Sequence, residues 1–128
     1  MRRNIVLVIA SLLSILLMTI HMTDDIVRGM EPGTLFDLVI VPILAVWLYA
    51  ALVLVDRRSG LAIILIEALL ALVVPVIHMK GAGVGGAIAR SSGGFFFIWI
   101  LIGLAVAALF SAMLAARGLL ERQPRETA

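Results

Sequence analysis

Hydrophobic residues occur along this chain in four long runs, which are separated by short polar or glycine-rich stretches. The runs cover residues 4–22, 34–55, 61–79 and 94–116. Each run is close to the roughly 20 apolar residues that a helix needs to cross a bilayer. The pattern predicts an all-α membrane protein with four transmembrane helices in an up-down-up-down bundle. A single domain over residues 1–118 and a cytoplasmic tail over residues 119–128 are expected.

The composition supports a membrane environment. Hydrophobic residues make up 63% of the chain and charged residues 14%, whereas a typical soluble domain has roughly 45–50% and about 25%. One small soluble core cannot hide this excess, so the lipid bilayer is the expected surroundings. Cysteine is absent from the sequence, which excludes disulfides and thiolate metal sites. No basic run with interleaved aromatic residues occurs, so nucleic acid is not an expected partner.

The basic residues predict the orientation, because Lys and Arg concentrate in cytoplasmic loops. The alternation of the four runs assigns three basic residues to one side, namely Arg28, Lys80 and Arg90. The other seven of the ten fall on the opposite side: Arg2, Arg3, Arg57, Arg58, Arg117, Arg122 and Arg125. We therefore expect a multi-pass protein of the cell membrane with both termini in the cytoplasm. The first run resembles a signal peptide but lacks a small-x-small cleavage site, so it is expected to remain as a helix.

The two histidines of the chain occupy matching positions. The letters "IHM" appear at residues 20–22 and 77–79, and each copy ends an apolar run. A shift of 57 residues superimposes them, so the chain reads as a helical hairpin written twice, either by internal duplication or by chance similarity of apolar helices. Two parallel repeats place His21 and His78 at the same height near the outer interface. In an up-down-up-down bundle their helices lie diagonally across the core.

Two imidazoles at one height suggest a cofactor or a metal ion. His21 and His78 suit a bis-histidine haem b, which would give the protein a role in electron transfer. With Asp25, one turn after His21, or with Asp24 instead, they suit a zinc-like site. With Met18, Met22 and Met79 they suit Cu(I), because thioethers are soft ligands, although adjacent His and Met side chains on a helix point about 100° apart. Interfacial polar residues without a ligand are the alternative.

A polar stripe and a lone acid suggest a different function. Residues 11, 14, 18, 21, 25 and 28 recur at intervals of three and four, so they share one helix face, which should turn toward the bundle interior. Glu67 lies inside the third run, where an ionised, unpaired acid costs several kcal/mol. Glu67 and Ser14 are candidates for a proton relay in small-cation transport, which would require a dimer. The alternatives are a serine-lined packing face and a carboxyl that hydrogen-bonds to a neighbouring helix.

Enzymatic chemistry is not expected, because the spans contain no carboxylate pair, nucleophile–base arrangement or zinc-protease spacing. The leading hypothesis is a small non-enzymatic membrane subunit, accessory or partner-binding, in a homodimer or a larger membrane complex. Haem or metal binding and proton-coupled transport are the two alternatives.

Overall fold

The computed structural model describes residues 4–122, and its regular structure over that range is entirely helical. Four α-helices follow one another: α1 at Ile5–Val27, α2 at Ile40–Leu52, α3 at Arg58–Ile77 and α4 at Gly94–Glu121. A 3₁₀ turn at Leu35–Val39 precedes α2, and another at Ile88–Arg90 precedes α4. The predicted all-α class is confirmed.

Three of the helices are long and apolar enough to cross a membrane, with 23 residues in α1, 20 in α3 and 28 in α4. The exception is α2, because its 13 α-helical residues span about 20 Å at 1.5 Å per residue, less than the roughly 30 Å hydrocarbon core. One helix over 34–55 was expected. Instead, Asp37 accepts the Thr34 backbone N–H at 2.6 Å and closes a 3₁₀ turn. Pro42 then falls in the first turn of α2, where its missing N–H is tolerated.

Two helices extend further than the hydrophobic runs indicated. The first run ends at residue 22 but α1 continues to Val27, and the fourth ends at 116 but α4 continues to Glu121. Each extension carries an ion pair at (i, i+4), Arg28–Asp24 and Arg117–Glu121, both at 2.7 Å. Such pairs stabilise helix ends that reach water. Residues 119–121, expected in the tail, therefore belong to α4. Residues 1–3 and 123–128, with three of the arginines used for orientation, lie outside the described range.

The bundle is organised around α4, which packs against both α3 and α1, while α2 contacts α1 and α3. Each helix contributes large buried side chains to the core, among them Leu7, Trp47, Ile64 and Leu104, which are at most 1% exposed. Small side chains bring α3 and α4 close together, since Ala68, Ala71, Ala108, Ala112 and Ala115 are all buried. Large apolar side chains cover the outer surface, as on α1, α3 and α4 at Leu16, Leu69 and Leu109, where water would disfavour them.

Both ends of the bundle are tied by arginine. At one end the Arg122 guanidinium donates to the Asp56 carbonyl in the turn before α3. At the other end Arg28, the C-cap of α1, donates to the Gly93 carbonyl at 3.0 Å, immediately before α4. The second of these ends holds both histidines and is called the histidine end below.

Candidate metal centre

Three helices contribute to a cluster at the histidine end. His21 and Asp25 lie on successive turns of α1, and both are buried on its inner face. His78 is the C-cap of α3, and Phe97 lies in the first turn of α4. The predicted polar stripe is confirmed over its first five positions, because residues 11, 14, 18, 21 and 25 are all buried. The periodicity of α1 therefore delivers His21 and Asp25 together to the interior.

One carboxylate oxygen faces both imidazoles. Asp25 Oδ2 lies 3.3 Å from His21 Nε2 and 3.2 Å from His78 Nε2. The two rings touch edge to face, with their centroids 4.7 Å apart and their planes at 83°. One ligand atom from each residue lies within 4.8 Å of the others. Tertiary folding thus joins residues 21, 25 and 78, all named from the sequence as candidate metal ligands, in one group.

The orientation of His78 is fixed by its own helix. His78 Nδ1 lies 2.8 Å from the Val74 carbonyl, which also accepts the His78 backbone N–H at 3.2 Å. A carbonyl oxygen can only accept, so Nδ1 carries a proton and donates it. In a neutral imidazole the other nitrogen, Nε2, then holds a lone pair, and that lone pair points at Asp25 Oδ2. Two lone pairs 3.2 Å apart repel each other unless a proton or a metal cation lies between them.

Burial raises the free-energy cost of an unpaired charge in this cluster. His21 is 1% exposed and Asp25 is 3% exposed, and a buried carboxylate needs a counter-charge or several hydrogen bonds. His21 Nδ1 and Asp25 Oδ1 are buried and have no hydrogen-bond partner within residues 4–122. Asp25 Oδ1 is the second oxygen of the carboxylate that faces the imidazoles, so hydrogen bonds within residues 4–122 leave its charge incompletely balanced.

A second layer covers the cluster and consists of Phe97, which the sequence analysis did not identify, and Arg28, the last position of the polar stripe. The Phe97 ring packs against both imidazoles, with centroids 6.1 Å from His21 and 5.8 Å from His78. Arg28 lies over the same ring, with Cζ 5.8 Å from its centroid. Arg28 Nε donates to Asp24 Oδ2 at 2.7 Å. Asp24, considered from the sequence as an alternative ligand, is therefore engaged in an ion pair. The (i, i+4) spacing of Asp24 and Arg28 was the sequence signal for it.

The proposed relay residues lie apart from this cluster. Ser14 is buried in α1 and its hydroxyl donates to the Ala10 carbonyl at 2.9 Å. Glu67 lies halfway along α3, half-buried, and its carboxylate has no hydrogen bond or ion pair with any residue of the described range. Met79, considered for copper, is exposed. The cation relay through Glu67 and Ser14 stays a prediction.

Comparison of the chain with known protein families, with curated proteins and with solved structures found no match. Function therefore has to be inferred from the chemistry of the site.

Proposed function

We propose that this chain is a small membrane subunit that binds one divalent transition-metal ion, preferably Zn²⁺, at the histidine end. The ligands are Nε2 of His21, Nε2 of His78 and Oδ2 of Asp25. The observation that carries the proposal is the contact of both Nε2 atoms with one carboxylate oxygen, at 3.3 and 3.2 Å. In a tetrahedral zinc site with bonds of about 2.0–2.2 Å, neighbouring ligand atoms lie about 3.4 Å apart. The two contacts with Asp25 match this spacing, and because all three ligand atoms lie within 4.8 Å of one another, an ion would draw the two imidazole nitrogens together by up to about 1.4 Å.

The donor set favours zinc over the other cofactors considered. Two imidazoles and a carboxylate form a nitrogen and oxygen set that suits Zn²⁺, and three protein ligands leave a fourth position for water. A bis-histidine haem needs its imidazoles on opposite faces of a porphyrin, whereas these rings are in contact at 4.7 Å. Cu(I) prefers soft thioethers, whereas the cluster offers nitrogen and oxygen donors from His21, Asp25 and His78, and Met79, which follows His78, is exposed.

The hydrogen bond from His78 to Val74 supports the same assignment. A histidine that binds metal through one nitrogen usually donates its other N–H to a carbonyl or carboxylate, which fixes the tautomer and the ring orientation. His78 has this partner at 2.8 Å. Packing against Phe97 and His78 orients His21 instead. We therefore expect His78 to be the better-ordered ligand before the metal binds.

We also propose that the chain crosses the membrane four times, with both termini in the cytoplasm, as the sequence predicts. The ends of α1 and α3 meet at the cluster, so the chain has to return along the bundle between residues 28 and 57. We propose that α2 and its flanking turns make this return crossing, which gives an up-down-up-down arrangement. The metal would then join α1 to its diagonal neighbour α3 at the outer rim and stabilise that end for a homodimer or a partner subunit.

Metal analysis tests the proposal directly. The protein is purified in detergent, stripped of metal with a chelator, incubated with Zn²⁺ and desalted. It should then hold one Zn²⁺ per chain. His21→Ala and His78→Ala should each lose it. Met22→Ala, which changes a neighbouring residue outside the cluster, should keep it. An absorption spectrum of protein from its native membrane checks the haem alternative. A Soret band, or zinc retention that is equal in all four proteins, would refute the zinc assignment.

A further inference from the structure

The side chain of Arg28 forms the outermost layer over the candidate metal centre. Its guanidinium lies over the Phe97 ring, with Cζ 5.8 Å from the ring centroid, and Phe97 in turn packs on both imidazoles. Phe97 is 1% exposed, and His21 and Asp25 are almost equally buried. Two layers of side chains therefore cover the cluster: the Phe97 ring on the imidazoles, and Arg28 on the Phe97 ring.

Arg28 is held in this position from two sides. On its own helix it donates through Nε to Asp24 at 2.7 Å. On the loop before α4 it donates to the Ser91 hydroxyl at 3.2 Å, to the Ser92 carbonyl at 3.4 Å and to the Gly93 carbonyl at 3.0 Å. These bonds connect the end of α1 to the start of α4 directly above the cluster. The guanidinium is thus fixed by four polar contacts, although it belongs to a long and flexible side chain.

A surface cavity of about 360 Å³ leads to this arginine. Arg28 lines it together with Ala87, Ile88, Ser91 and Ser92. None of the three candidate ligands belongs to its lining, whereas Arg28 both lines the cavity and lies over Phe97. Water and small ions can fill the cavity while His21 stays buried at 1% exposure and the His78 side chain is 12% exposed.

We propose that Arg28 is a cover that controls entry to and exit from the metal centre, and that Asp24 holds the cover closed. This inference rests on the proposed function, because it assigns Arg28 and Asp24 to the exchange of the same ion. An ion in the cavity reaches Asp25 only after the guanidinium leaves Phe97 and the loop. Because Asp24 neutralises Arg28 locally, the arginine acts by obstruction rather than by repelling the cation.

Charge and obstruction predict opposite results for one variant. Arg28→Ala removes a positive charge and the cover, so electrostatic repulsion and obstruction both predict faster entry of Zn²⁺. Asp24→Asn removes a negative charge, so an electrostatic effect alone predicts slower entry of Zn²⁺. If Asp24 holds the cover closed, the same variant frees Arg28, and Zn²⁺ enters faster. Arg90→Ala is the matched control, because Arg90 is an exposed arginine of the same loop.

Stopped-flow measurement of Zn²⁺ entry into the metal-free protein, followed with a zinc indicator dye, provides the rates. We expect entry to accelerate on the order of ten-fold or more in Arg28→Ala and several-fold in Asp24→Asn, as hydrogen bonds to a charged group are lost. Arg90→Ala should match the wild type, and one Zn²⁺ per chain should bind in every variant. Slower entry in Asp24→Asn, or equal acceleration in Arg90→Ala and Arg28→Ala, would overturn the proposal.

A neutral reagent tests the cover without metal. Diethyl pyrocarbonate acylates accessible imidazoles, and peptide mass spectrometry locates the adducts on His21 and His78, the two histidines of the chain. Acylation of the buried His21 should be slow in the wild type and in Arg90→Ala, and faster in Arg28→Ala and Asp24→Asn. Faster acylation in a protein that binds no zinc would support the cover and refute the metal assignment. Zinc binding with unchanged acylation and unchanged rates of Zn²⁺ entry in all variants would refute the cover alone.

Discussion

The substitution Asp25→Asn separates a metal ligand from a buried hydrogen-bond acceptor. It keeps the shape of the side chain and one acceptor oxygen but removes the negative charge that faces both imidazoles. Without metal, Asp25 Oδ2 makes two charge-assisted contacts with the imidazoles, at 3.3 and 3.2 Å, and the substitution removes one of them. Hydrogen bonds to charged groups contribute about 1.5–3 kcal/mol each, so the variant should be about 2 kcal/mol less stable than the wild type in chelator.

Metal should widen this difference. An ion that binds only the folded state stabilises it by about 2.7 kcal/mol at a free concentration of 100 times Kd. The wild type gains this energy, whereas Asp25→Asn, with two neutral ligands left, should gain almost none. The difference in the free energy of unfolding then grows from about 2 to about 5 kcal/mol. For a chain of this size the metal-dependent part corresponds to a shift in Tm of about 10 °C.

Thermal unfolding in detergent measures both quantities. Trp47 is 1% exposed in the core, so its fluorescence reports loss of the bundle. Each protein is heated with chelator and with Zn²⁺, and Asp24→Asn serves as the control because it removes the same charge one residue away. We expect Zn²⁺ to raise the Tm of the wild type and of the control but not of Asp25→Asn. An equal zinc-dependent shift in all three proteins would show that Asp25 is not a ligand.

Four further predictions concern the rest of the molecule. Lowering the pH from about 7.5 to about 5.5 should weaken Zn²⁺ binding in a titration, because imidazole binds metal only in its neutral form; pH-independent affinity would contradict histidine ligation. Glu67→Leu should raise the stability in detergent by about 1–3 kcal/mol, because an unpaired acid in an apolar span is unfavourable; destabilisation would instead indicate a partner for the carboxylate, and loss of proton-coupled cation uptake in Glu67→Gln would support the relay. Ile64→Ala should cost about 2–5 kcal/mol in the unfolding assay, because Ile64 is fully buried; a cost under 1 kcal/mol would argue against the packing of α3 on α4. Gly93→Ala should destabilise the start of α4 by about 1 kcal/mol, because φ is +76° and the added Cβ would lie 3.0 Å from the Arg28 guanidinium; an unchanged Tm would argue against this loop conformation.

Much of the fold follows from local sequence properties. The length and composition of three apolar runs predict helices that can cross a membrane, and α1, α3 and α4 are such helices. The weakest prediction was residues 34–55, because hydrophobicity does not register the hydrogen bond by which Asp37 turns the chain before α2. The ends of α1 and α4 were underestimated for a related reason. A hydropathy pattern finds where lipid ends, whereas ion pairs at (i, i+4) decide how far the helix continues into water.

The sequence alone determined which residues share a helix face and at what height they lie. The spacing of His21 and Asp25 placed both on the interior face of α1, and the matching "IHM" letters suggested one level for His21 and His78. Only the tertiary structure decided that His78 meets the same oxygen of Asp25, because that contact depends on the rotation of α1 against α3. It also decided that Arg28 and Phe97 cover the cluster. Helical periodicity is a property of one segment, whereas contact between segments is fixed by how their side chains pack.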